Sequence, residues 1–389
     1  MSNRRTFLER LAATTAGFAG LGRAASQANI SNPAVEMPDA SKLPYRLVGG
    51  VKEFRLVAEV VHTKFLEGRP VTAWGFNGSV PGPTIEVNEG DRVRVIFENR
   101  LPEMTALHWH GFEVPMEMDG SVGLGQDPVP PGGTFVHEFT LNQHGTLFYH
   151  SHFAMQEMMG MLGMVVIHPR AAYTPAVDRD FGIVIQEWMI LPNNNVPNTM
   201  AMEFNWLTFN GKAGPECTPM IVKQGERVRI RLVNLGMDHH PIHLHGMQFV
   251  VTGTEGGRIP ASQWHDMNTV LVGVGQARNI EFDAKYVGDW MLHCHLPHHM
   301  MNQMVTMVGP VHQHGGADHY PKDDPESKKV PGYPQDMWMP MDDEVPVKPE
   351  HYGLRKNWTG GMMGMMTMVR VMTPENYARI EELRKAVRA

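Results

Sequence analysis

Short stretches of alternating apolar and polar residues dominate the chain. In residues 92–97, Val93, Val95 and Phe97 alternate with Arg92, Arg94 and Ile96. Side chains two apart on a strand share a face, so the pattern predicts strands with one buried side. Turn-forming residues separate such runs, as at Asn77-Gly78, Pro81-Gly82-Pro83 and Glu89-Gly90-Asp91. Helical periodicity is weak until residue 373. There Thr373-Pro374-Glu375 supplies an N-cap with proline at the first helical position. Tyr377, Ile380, Leu383 and Val387 then form one apolar stripe, which predicts a short final helix.

The pattern occurs twice. Phe76-Asn77-Gly78, Gly90-Asp91-Arg92-Val93-Arg94-Val95, Asn99 and His108-Trp109-His110-Gly111 make the first copy. Phe209-Asn210-Gly211, Gly225-Glu226-Arg227-Val228-Arg229-Ile230, Asn234 and His243-Leu244-His245-Gly246 make the second. From Gly90 to Gly111 the offset between copies is a constant 135 residues. A period of this size means two copies of a whole domain, and short strands between turns predict an all-β fold of two Greek-key sandwiches. His152 and His240 lie 88 positions apart, too close for a third copy. The expected boundaries are a leader at 1–28, a linker at 29–44, domains at 45–171 and 172–312, and a Met-rich tail at 313–389. The tail reads as an irregular covering segment that ends in the short helix.

The leader carries Arg4-Arg5-Thr6-Phe7-Leu8, a weakly apolar run from Leu11 to Leu21, and small residues around Ser26-Gln27-Ala28. This order resembles a twin-arginine export signal, so a periplasmic or secreted protein is expected. No later run is long and apolar enough to span a bilayer.

Composition adds chemistry. The chain holds 21 His and 31 Met but only 2 Cys among 389 residues, so disulfides do not staple it. Its net charge of -7 gives no reason to expect a nucleic-acid partner. Imidazole and thioether are both copper ligands. Four His-x-His pairs stand at matched places in the repeat: His108/His110, His150/His152, His243/His245 and His293/His295. A strand turns residues i and i+2 to one side, so each pair presents two imidazoles to one point. Around Cys294, the residues His240, His299 and Met304 complete two His, one Cys and one Met, the donor set of a blue-copper electron-transfer site. Zinc is disfavoured because Cys-rich structural spacing is absent.

The motifs HWHG (108–111), HSH (150–152), HPIHLHG (240–246) and HCHLPHHMMNQM (293–304) closely resemble those of the multicopper oxidases, in particular the two-domain, laccase-like bacterial group. The resemblance covers roughly residues 45–312 and implies cupredoxin-like domains with four coppers per chain. His240, Cys294, His299 and Met304 would hold the type 1 copper, and His108 and His243 the type 2 copper. His110, His150, His152, His245, His293 and His295 would hold the type 3 pair. Cys294 would link the type 1 copper to the cluster through its neighbours. Ser151 takes the corresponding place in the first domain, which therefore has no blue copper. Asp119, eleven residues after His108, would orient cluster water and relay protons. Met300 stands where many relatives carry a second acid. Each domain supplies half a trinuclear cluster, so a homotrimer with clusters at its subunit interfaces is implied.

The expected reaction is one-electron oxidation of a phenol or aromatic amine coupled to four-electron reduction of O2 to water. Cu(I) is the alternative substrate, favoured by the Met-rich stretches 155–164, 300–307 and 362–372. Apolar packing is the plainer reading of those methionines, as a buried unpaired thiol is for Cys217. A copper nitrite reductase carries its blue-copper Cys in the first domain, which Ser151 argues against. A copper store leaves the His293-Cys294-His295 connection without a purpose.

Overall fold

The computed structural model describes residues 32–191, 193–301 and 340–388. They belong to the unit that begins at Asn32. The expected leader at 1–28, Met304, the part of the Met-rich stretch 300–307 beyond Met301, and tail residues 313–339 lie outside the described residues.

Each repeat builds two packed sheets. In the first, strands Tyr45–Val48, Val51–Leu66, Arg69–Phe76, Arg92–Asn99 and Thr134–Thr140 form one sheet. The facing sheet has the spatial order Gly82–Asn88, Leu162–His168, Gly145–Ser151 and Leu107–His110. The alternation read from the sequence holds: Val93, Val95 and Phe97 are buried, while Arg92 is exposed. They close on Phe54, Leu56, Trp109, Leu147 and Tyr149 as one apolar core. In the second repeat, Arg179–Trp188, Arg227–Asn234, Gln276–Asp283 and Phe249–Thr254 form the middle of a larger sheet. Its partner sheet runs Met220–Lys223, Met366–Met372, Gly288–Cys294, His240–Leu244 and Thr269–Val272.

The repeat extends to its turns. Asn77 and Asn210 both sit at left-handed φ, 50° and 51°. Each amide oxygen accepts a backbone N–H from a neighbouring strand, Val57 for Asn77 and Val184 for Asn210, at 2.9 and 2.8 Å. Asn99 and Asn234 likewise each brace the loop before a His-x-His strand, donating to the carbonyl four residues on, Glu103 or Asp238. Polar side chains at these positions satisfy buried backbone groups that the turns leave unpaired.

One expectation is corrected. The second domain does not end at 312, because residues 366–372 form an inner strand of its second sheet. This strand pairs in parallel with Met220–Lys223 and antiparallel with Gly288–Cys294. The reason is topological: Leu162–His168 holds the same place in the first domain, between Gly82–Asn88 and Gly145–Ser151. Every residue of Met366–Met372 is buried, so the methionines of this strand pack the fold. The helix Pro374–Arg388 follows, with Ile380 buried against Ile221 and Met372.

The linker holds the domains together. Val35 pairs with Asp180 of the second domain, and Lys42 bridges to Thr84 of the first. Phe148, Leu162, Met164 and Val166 of the first domain pack on Val184, Val233 and Ala277 of the second. Within this seam Arg231 donates to Thr146 at 2.7 Å, and Asp180 pairs with both Arg229 and Arg231.

Candidate metal centres

The His-x-His strands lie beside the strands that carry the second pairs. His108 stands directly opposite His150, and His243 directly opposite His293. Directly opposed residues of an antiparallel pair share a face, so the four imidazoles of each domain gather on one side of its sheet. Gly111 and Gly246 follow the motifs at φ of +80° and +75°, and a Cβ on Gly246 would fall 2.3 Å from Trp290. Glycine lets the chain turn away there without moving the imidazoles.

Cys294 faces the other way. It stands opposite Ile242, one residue out of step with His293, and its side chain enters the second core. There its Sγ lies 3.6 Å from His240 Nδ1 and 3.6 Å from His299 Nδ1, and the two nitrogens are 3.1 Å apart. All three residues are buried. Strand alternation therefore sets the thiol and the imidazole of His293 on opposite faces of one strand, and His295 follows just past the strand's end.

The two histidine groups are held alike. His108 Nδ1 lies 2.7 Å from the Asp119 carbonyl, and His243 Nδ1 lies 2.7 Å from the Asn268 carbonyl. A carbonyl only accepts, so each Nδ1 carries the proton and each Nε2 keeps its lone pair. His150 and His293 each bond the carbonyl of the next residue, Ser151 at 2.9 Å and Cys294 at 2.8 Å. His110, His150 and His108 converge, as do His243, His245 and His293. His152 and His295 stand at the exposed rim, their rings 5.1 Å from His108 and 5.6 Å from His243. Among the described residues no hydrogen bond or ring contact joins one group to the other.

Burial pushes the Cys294 thiol up to about 12 and His299 down to about 4. His150 is also lowered to about 4, chiefly by burial. Cys294, His299 and His150 are thus neutral near pH 7, and a bound cation has to displace the thiol proton.

Asp119 lies beside the first histidine group: its carboxylate is 3.5 Å from His108 Nδ1 and accepts from the Ser121 hydroxyl. Three further acids touch the histidines without a sequence motif to announce them. Glu187, wholly buried, lies 3.1 Å from His240 Nε2. Asp238 lies 3.5 Å from His299 Nε2. Glu157 lies 3.3 Å from His150 Nδ1, and burial raises its carboxyl to about 7. Asp238, two residues before His240, is the one within reach of sequence reading. Glu187 arrives from a distant strand, and Glu157 is one of many acids that could follow an HSH motif. Cys217 is buried, its thiol donating to the Lys212 carbonyl at 3.2 Å.

Residues 58–172 and 190–313 match two sequence profiles, each described as multicopper oxidase. The chain belongs to the multicopper oxidase family. A copper resistance protein A homolog of Pseudomonas syringae pv. tomato is 36% identical over 187 residues, 48% of this chain and 30% of the homolog. Laccase-2 of Botryotinia fuckeliana is 29% identical over 57% of this chain and 42% of that protein. The chain thus spans between about three tenths and two fifths of the length of these curated relatives. The blue copper oxidase of Nitrosomonas europaea superposes with a TM-score of 0.60 at 28% identity, over 67% of this chain and 88% of that structure. The chain shares the cupredoxin-like all-β architecture of such solved multicopper oxidases. For a multicopper oxidase the donors are apt: two imidazoles and one thiol in a buried cluster suit copper, with its taste for mixed nitrogen and soft sulfur. Among the described residues there is no group of several cysteines of the kind that holds structural zinc.

Proposed function

We propose that the protein is a copper-dependent oxidase that takes single electrons from a small reducing substrate and reduces O2 to water. The observation that carries this reading is the placement of Cys294, whose thiol joins His240 and His299 on one face while its chain neighbours join the second histidine group on the other. Bound copper would supply one-electron redox chemistry at the thiol set and multi-electron reduction of O2 at the histidines. His240, Cys294 and His299 would hold a type 1 copper, and His108 and His243 a type 2 copper. His110, His150, His152, His245, His293 and His295 would hold a type 3 pair, for four coppers per chain.

The chain's own residues do the rest. The peptide bonds on either side of Cys294 form a short covalent path between the two kinds of site. Asp119 orients His108 through its carbonyl and keeps a carboxylate beside it that can hold a proton. The two histidine groups share their backbone anchors, a carbonyl on His108 and on His243 and the next residue's carbonyl on His150 and on His293, yet among the described residues no hydrogen bond or ring contact joins them within the chain. This supports a homotrimer whose clusters form where subunits meet. A phenol or aromatic amine is the favoured reductant. Cu(I) is the second reading, supported by the likeness to copper resistance protein A. The methionines of 362–372 lend it little, because Met362, Met365, Met366, Met368 and Met372 are buried. Export by the twin-arginine leader would place the enzyme in the periplasm or outside the cell, and no helix among the described residues is long and apolar enough to cross a membrane.

The test is to purify the copper-loaded chain and measure copper per chain, the blue absorption band, O2 uptake and mass in solution. About four coppers, a blue band, O2 uptake and a trimeric mass are expected. One copper per chain without O2 uptake would reduce the protein to an electron carrier.

A further inference from the structure

The spacing of the motif HCHLPHHMMNQM sets Met304 ten residues after Cys294 as the fourth ligand of the thiol set. The geometry points elsewhere: we propose that Met365 brings the thioether to His240, Cys294 and His299.

The first domain shows what the slot looks like. There Ser151 replaces the cysteine and Gln156 replaces His299, at the same separation of five residues. Met161 spans the two with its backbone: Ser151 N–H donates to the Met161 carbonyl at 2.9 Å, and Met161 N–H donates to the Gln156 carbonyl at 3.2 Å. Met161 leads directly into the inner strand Leu162–His168. In the second domain the same two bonds are made by Met365. Cys294 N–H donates to the Met365 carbonyl at 3.0 Å, and Met365 N–H donates to the His299 carbonyl at 2.8 Å. Met365 leads directly into the inner strand Met366–Met372. Its side chain is wholly buried in the apolar core that contains Cys294.

The residue before it sharpens the assignment. Gly364 has φ of +63°, and a Cβ there would fall 2.3 Å from the His299 carbonyl oxygen and 2.6 Å from the Met301 nitrogen. Gly160 precedes Met161 at φ of +111°, with a Cβ position 2.8 Å from the Trp74 carbonyl oxygen. Both slots therefore call for glycine before the methionine. Residue 303, before Met304, is glutamine. The chain nevertheless repeats itself at the two places: Met304-Val305-Thr306-Met307-Val308 against Met365-Met366-Thr367-Met368-Val369. Spacing alone selects the first copy, whereas the glycine and the two backbone bonds select the second.

Axial thioether identity tunes a type 1 copper, so the ligand can be read spectroscopically. The full-length chain is loaded with copper, and Met365→Leu and Met304→Leu are compared with the wild type. In Met365→Leu the thiolate-to-copper absorption and electron paramagnetic resonance signature shift and the midpoint potential rises. In Met304→Leu all three keep their wild-type values. Movement with Met304→Leu, or no movement with Met365→Leu, overturns the assignment. If Met365→Leu does not fold, a crystal structure of the copper-loaded wild type decides, with the Met365 sulfur expected as the nearest thioether and any other residue there overturning the proposal. The assignment rests on the copper reading of the thiol set. A wild-type chain without blue absorption overturns both, whereas a blue wild type whose signals answer to Met304 overturns the assignment alone.

Discussion

Glu187 lies 3.1 Å from His240 Nε2, on the side of the imidazole turned away from Cys294. The carboxylate can only accept, so it holds the proton on Nε2 and leaves Nδ1 facing the thiol. It also accepts the backbone N–H groups of Met237 and of Asp238, the latter at 2.7 Å. One buried acid thus fixes both the ring and the loop that delivers it. Glu187→Ala leaves three donors without this partner, the His240 Nε2–H among them fully buried, and is expected to cost about 2–4 kcal/mol of stability. Glu187→Gln keeps the volume and an acceptor oxygen and is expected to cost less than half as much. Urea unfolding of the metal-free variants checks the order. Equal midpoints for Glu187→Ala and wild type would refute it.

The two faces of the strand Gly288–Cys294 can be separated by mutation. His243 belongs to the histidine group and stands on the face away from the thiol. His243→Ala is expected to keep the blue absorption of the thiol set while O2 uptake falls at least about 100-fold. His299→Ala is expected to abolish the blue band itself. Loss of the band in both variants would mean that the sites are not separate.

Much of this architecture is legible in the chain. Strand alternation, turn glycines and the 135-residue offset lead to two sandwiches, because these are local signals that repeat. The His-x-His pairs are legible for the same reason: period two on a strand needs no tertiary knowledge. What tertiary contact decides is not legible. Glu187 reaches His240 from 53 residues away, and no local pattern marks it as different from any other acid in a strand. Met366–Met372 reads as part of a tail because its partner strands, Met220–Lys223 and Gly288–Cys294, are distant in sequence.

The seam between the domains holds a buried ionic cluster. Asp180 accepts from Arg229 at 3.1 Å and from Arg231 at 2.8 Å, and all three side chains are almost wholly buried. Removing one member of such a cluster strands the others in low dielectric. Asp180→Ala is expected to lose about 3–5 kcal/mol, mostly from the uncompensated Arg231 guanidinium, since Arg229 keeps Glu281 at 3.0 Å. Chemical denaturation measures it. A loss under about 1 kcal/mol would show that water reaches the seam.

Glu86 ties the linker to the first domain and gives the fold an acid limit. It accepts from the Val35 N–H at 2.9 Å, from His168 Nε2 at 2.8 Å and from the Lys42 ammonium. Burial opposes ionisation, but these bonds outweigh it and hold the carboxyl at about 2, below its ordinary 4.5. A carboxyl depressed in the folded state stabilises it above the unfolded value and loses that contribution as pH falls. The contribution, up to about 3 kcal/mol, is complete above pH 4.5 and fades between about 4.5 and 2. Glu86→Gln is therefore expected to destabilise the protein at about pH 6 and to narrow its gap from wild type at about pH 3. Denaturation midpoints at the two pH values check this. A gap that does not narrow would assign the pH response to other groups.

Truncation separates a covering tail from a structural strand. Ending the chain after Gly361 removes Met366–Met372, which lies between two strands of the second sheet, together with the backbone bonds that Met365 makes to Cys294 and His299. Both freed strand edges carry buried apolar residues, including Val222 and Leu292. Unpaired backbone at the centre of a sheet cannot be compensated by water without opening the core. The truncated chain is therefore expected to aggregate or to lose its near-ultraviolet circular dichroism, and to take up no copper with a blue band. Ending the chain after Thr373 keeps the strand and removes only the final helix. Because the described part of that helix buries little beyond Ile380 and partly Tyr377, this shorter truncation is expected to stay folded with its blue band in place. If the chain cut after Gly361 is instead soluble and blue, the strand is dispensable and residues 362–372 are a tail after all.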